Sequence, residues 1–80
     1  MPPVARFKRL DVRPLIARGE HPMTHIRAAL EGLPPDQGLM LMAPFLPAPL
    51  IEMLGSEGYQ SRCEPGRQGG WLVYFWRIAD

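Results

Sequence analysis

His21 and His25 are the residues whose type and spacing come nearest to a recognised chemistry. Four residues apart, they share one face of a helix, at a familiar interval for two metal-ligating imidazoles. Glu20 precedes them and offers an oxygen ligand. Such a site has at most three local ligands, so a water or a dimer-related group would complete it and leave an open coordination position. The alternative is two ordinary surface histidines, with His21 at the helix N-cap. On a helical wheel both fall opposite the stripe of Met23, Ile26 and Leu30, so neither belongs to the core. A helix start with Arg18 nearby also suits a carboxylate or phosphate, although Glu20 opposes that.

Cys63 is the only cysteine, so no intramolecular disulfide and no cysteine-rich zinc site can form. It is expected on a strand, either as a small hydrophobe or, less simply, as a reactive thiol. Met23, Met40, Met42 and Met53 invite a copper or redox reading. Their places on core-facing helix positions and a central strand point instead to gap-filling. The loop Pro44-Phe45-Leu46-Pro47 follows the carboxyl end of a strand, where α/β sheets often hold ligands. It carries no polar catalytic group, so Phe45 reads as part of a rigid wall or docking surface. The chain has no glycine-rich phosphate loop and no Ser-x-x-Lys or Gly-x-Ser-x-Gly pattern. A protein without resident cofactor or catalytic residues is the expectation.

Positioning these residues falls to short elements, because ten prolines and eight glycines divide the chain. Residues 7–13 alternate, with Leu10 and Val12 on one face and Arg9, Asp11 and Arg13 on the other, which predicts a strand stopped by Pro14. Pro22 suits the first position of a helix whose inner stripe is Met23, Ile26, Leu30 and Leu33, ended by Gly32 and Pro34-Pro35. Gly38 to Ala43 is apolar at every side chain, as a strand covered on both faces must be. A second helix runs from Ala48 to Leu54, closed by Gly55 or Gly58. Residues 59–64 and 71–78 form a closing antiparallel pair around a Gly/Pro-rich turn.

The resulting order, βαβαββ, is an α/β fold of the α+β two-layer sandwich type. Its first two strands are parallel, and both helices lie on one face of the sheet. A sheet covered on one side leaves the other bare. Trp71, Val73 and Phe75 alternate with Leu72, Tyr74, Trp76 and Ile78, so whichever set faces away from the helices exposes an aromatic patch. A homodimer or a protein partner on that face is the expected remedy, unless the tail from Val4 to Phe7 folds over it.

Eighty residues suffice for one domain with a thin margin, about 60% of the unfolded surface being buried at this size. We read residues 1–8 as a tail or strand extension and 9–79 as the domain. The apolar share of 46% excludes a disordered chain. No run approaches a membrane span and no secretory leader is evident, which gives the expectation of a cytoplasmic protein. Arg6, Lys8, Arg9, Arg13 and Arg18 crowd the first eighteen residues. The net charge of +1 nevertheless argues against a nucleic-acid partner.

The run Leu10-Asp11-Val12-Arg13, the Pro22-opened helix and the βαβαββ order resemble the TusA/SirA-like superfamily of small sulfur-carrier domains. The segments Gly19-Glu20-His21-Pro22-Met23 and Ala43-Pro44-Phe45-Leu46-Pro47-Ala48-Pro49-Leu50 are similar to those of an uncharacterised bacterial branch, the domain-of-unknown-function family DUF2249. The resemblance covers residues 9–77. It implies a four-stranded mixed sheet with two helices on one side, and a setting in sulfur, redox or respiratory metabolism. The carriers place a Cys-Pro-x-Pro motif where the first helix begins. Here Gly19 and Glu20 stand at its first two positions and only Pro22 matches, so carrier chemistry does not transfer. The resulting expectation is a non-enzymatic binding or interaction module. The alternatives are sulfur transfer through a relocated thiol at Cys63, or metal binding at His21 and His25.

Overall fold

The computed structural model describes residues 2–66 and 69–77. Ile78 of the expected last strand, residue 79 of the expected domain, and Arg67 and Gln68 of the turn lie outside the described residues. The elements are a 3-10 turn at Val4–Arg6, β1 (Phe7–Asp11), α1 (Arg13–Ala17), α2 (Met23–Glu31), β2 (Gly38–Ala43), α3 (Ala48–Ser56), β3 (Tyr59–Pro65) and β4 (Trp71–Arg77).

The sheet is four-stranded and mixed, in the order β1-β2-β4-β3. β1 runs parallel to β2, and β4 is antiparallel to both β2 and β3. β2 is central, which is why its sequence could be apolar throughout: all its residues but Met42 are buried. On one side, Ile26, Ala29 and Leu30 of α2 and Leu50 and Leu54 of α3 pack on Leu39, Leu41, Val73 and Phe75 of the sheet. α1 adds Leu15 and Ile16 at the margin of the same core. The expected two-layer sandwich is the observed architecture.

Pro22 has helical backbone angles, and the Ile26 amide donates to its carbonyl at 3.0 Å. Its ring fixes φ in the helical range, so α2 starts where the sequence places it. α3 runs on to Ser56, past the expected Leu54, and the chain then reverses at Gly58, whose φ of +95° favours glycine.

Three expectations need correction. β1 ends at Asp11 rather than Arg13, and Pro14 opens a helix instead of merely stopping a strand. The Asp11 carboxylate accepts the Arg13 amide at 3.0 Å, satisfying a free first-turn donor of α1, where a proline costs nothing. The far side of the sheet is not bare at its centre. Phe7 lies over Gly38 and meets Tyr74 edge-on, their ring centroids 5.2 Å apart. That contact buries Phe7, Met40 and Tyr74 together. The aromatic surface is correspondingly smaller. Phe75 is 0% exposed beneath the helices and Tyr74 is 6% exposed beneath Phe7, while Trp71 and Trp76 are half-buried on opposite faces.

Candidate functional site

The carboxyl ends of the parallel strands β1 and β2 open into a cavity of about 370 Å³ on the helix side of the sheet. Its floor is Val12, Leu41 and Ala43. Ile16 of α1 and Met23 and Ile26 of α2 form one wall, and Leu50 and Met53 of α3 form another. Three prolines, Pro22, Pro47 and Pro49, line the places where α2 and α3 begin. No residue of the lining is polar.

That composition is unusual for its position. Helix starts ordinarily present unpaired amides, which suit phosphate or carboxylate. In α3 the Ala48 amide donates to Leu46 O at 2.9 Å, the Ile51 amide is the first to bond within the helix, and Pro49 has no amide. The start of α3 therefore offers little to an anion. Phe45, 54% exposed, lines the mouth, and Leu46 beside it is 42% exposed. Pro44 and Pro47 fix φ on either side of this pair, so an exposed apolar lip is held in place. Shape and apolar surface are what this cavity can contribute.

The histidine region is built differently from the sequence expectation. His21 precedes α2 while His25 lies in its first turn, so the two do not occupy successive turns of one helix. Both are exposed, and no side chain caps α2. The Glu20 carboxylate pairs with Arg18, Nε to Oε2 at 2.5 Å, in the turn where Gly19 takes a φ of +75°. Among the described residues, no three of His, Cys, Asp and Glu come together as a metal would require. Cys63 lies on a strand as expected, exposed on β3 at the edge of the sheet.

Two of the acidic groups that depart from their ordinary values, Asp11 and Tyr74, lie on the edge strand β1 and the inner strand β4. The Arg13 guanidinium, forked onto Asp11 with both contacts at 2.9 Å, holds that carboxyl below the usual range. Burial pushes the Tyr74 phenol up, and Glu64, accepting its hydroxyl at 3.2 Å, adds to the shift. Both lie on the sheet face opposite the cavity, so neither can act in it. The sequence reading missed the cavity itself, because it is assembled from hydrophobic residues at three helix ends. The one signal available was the proline-bracketed Phe45-Leu46 loop after a strand.

The fold and site define a small α/β domain with an apolar cavity at the carboxyl ends of its parallel strands. A family model described as an uncharacterized conserved protein (DUF2249) matches residues 9–77, and the chain belongs to that family. No curated protein and no solved structure matches the chain. Among the described residues, no helix is long and apolar enough to cross a membrane.

Proposed function

We propose that this chain is a non-enzymatic binding module that takes an apolar group into the cavity at the carboxyl ends of β1 and β2. The observation that carries this reading is a preformed cavity of about 370 Å³ with an entirely apolar lining and an exposed lip at Phe45 and Leu46. Its size falls within the range of small-molecule sites. It also suits one or two apolar side chains of a partner, each contributing about 1.5–3 kcal/mol on burial. The resemblance to sulfur-carrier domains supports a cytoplasmic setting in sulfur, redox or respiratory metabolism. The cavity occupies the end of the fold where those carriers hold their cysteine, and here the chemistry of that end is apolar contact.

The test is fluorescence titration with Nile red, an uncharged apolar dye, with amide chemical-shift mapping to locate it. Saturable binding that shifts Met23, Ala43 and Leu50 supports the reading. Phe45→Ala should weaken it about fivefold, as expected for about 1 kcal/mol of lost contact, and leave thermal stability unchanged because the side chain is exposed. Shifts confined to other surfaces would overturn the assignment.

A further inference from the structure

The sheet face opposite the cavity carries an ordered pattern of charge. Strand register places Arg9, Met40, Tyr74 and Arg62 in one row across the four strands. The next row is Asp11, Met42, Leu72 and Glu64. Each row is apolar in the middle and charged at both ends, basic in the first and acidic in the second. Beyond the basic row, Phe7 and Trp76 form a ridge, their ring centroids 6.3 Å apart. A hollow of about 510 Å³ crosses both rows, from Val4, Arg9 and Tyr74 to Leu72, Gly66 and Gly70 beyond the acidic row.

We propose that this face is the interface of a homodimer whose two-fold axis runs across the strands, between the basic and the acidic rows. Rotation about that axis lays row upon row in reverse. Arg62 meets Glu64 of the partner subunit, and Arg9 meets the partner's Asp11. Between these pairs, the half-buried Met42 and Leu72 of each subunit fall opposite the row of the other in which Phe7 already covers Met40 and Tyr74. The half-buried Trp76 enters the partner's hollow at Gly66 and Gly70. A two-fold axis along the strands would instead set arginine against arginine and acid against acid, so the charges select one of the two arrangements. Packed sheets lie about 10 Å apart, a gap that arginine side chains span. Arg13 engages both carboxylate oxygens of Asp11, whereas the Tyr74 hydroxyl donates only to Oε1 of Glu64, so the discrimination rests mainly on Arg62 and Glu64. This proposal goes beyond the cavity reading and uses the opposite face of the sheet.

Sedimentation equilibrium on the whole chain tests it, using wild type, R62E, E64R, the double variant R62E/E64R, and an equimolar mixture of the two single variants. The wild type should be dimeric. Each single reversal should weaken self-association at least tenfold, because both two-fold-related contacts become like-charged. The double variant restores opposite charges within one sequence. The mixture restores them between two sequences, and so returns a dimer from two monomers and shows that both are folded. A strictly monomeric wild type, a dimer that neither reversal weakens, or single variants that neither combination rescues would each overturn the proposal. Nile red binding at the cavity reports the other face and should be unchanged in every variant.

Discussion

Asp11 joins two parts of the fold through one carboxylate. It accepts the Arg13 amide at the start of α1 and the Arg13 guanidinium beyond it. Replacing it with alanine removes an acceptor that satisfies the helix start and should cost about 1 kcal/mol in urea unfolding at neutral pH. Because Arg13 lowers its folded-state pKa, the stabilisation is fully present above the unfolded value of about 3.9 and is lost as pH falls through the folded value. The difference between wild type and D11A in urea midpoint should therefore shrink as pH drops below about 4. Gly38 is the second sensitive residue. A Cβ there would sit 2.4 Å from the Phe7 ring and 2.6 Å from the Phe75 carbonyl oxygen. The carbonyl belongs to the central ladder and cannot move aside. Gly38→Ala should cost about 2 kcal/mol or more, read by the same unfolding.

At the scale of elements, the sequence was most legible where one pattern had one meaning. The all-apolar run of β2 fits only a central strand, and the stripe of α2 fits only a helix packed on one side. Pro14 was ambiguous, since a proline that ends a strand equally opens a helix. The Asp11 carboxylate that decides between them shows its role only once folded. In β4 both alternating sets are aromatic, so the sequence could not say that Phe75 turns inward and Tyr74 outward. The cavity escaped for a different reason: residue types signal chemistry, whereas a void between helix ends carries no residue of its own. One connection between elements has a clear signature. Arg27 on α2 forks onto Glu57 just beyond α3, at 2.6 and 2.7 Å, across an exposed surface. Arg27→Met should lower the melting temperature in dilute buffer, and most of that difference should vanish in 1 M salt, where charges are screened within about 3 Å.

At the scale of the molecule, one layer separates two surfaces of opposite kind. The helix side ends in an apolar cavity, and the far side carries aromatic side chains bordered by ordered charge. β2 contributes alternate residues to both, Leu41 and Ala43 to the cavity and Met40 and Met42 to the far face, so one strand supports the two surfaces. Occupancy of the cavity and pairing of the far face are therefore expected to raise the melting temperature separately and in sum, since their contacts do not overlap. Thermal scans with and without Nile red, at low and high protein concentration, read the two increments.

The strand order β1-β2-β4-β3 also bears on how the chain comes into being. β4 lies between β2 and β3 yet is the last strand made, so a nascent chain that stops short of it holds two disconnected fragments: a parallel pair, and an edge strand with nothing beside it. β2 would then present an open, wholly apolar edge. The sheet is complete only when β4 enters it, so the domain is expected to assemble once residue 77 has cleared the ribosome exit tunnel. A ribosome-stalled chain exposing residues 2–70 should remain protease-sensitive, and one exposing residues through 77 should become resistant in a single step.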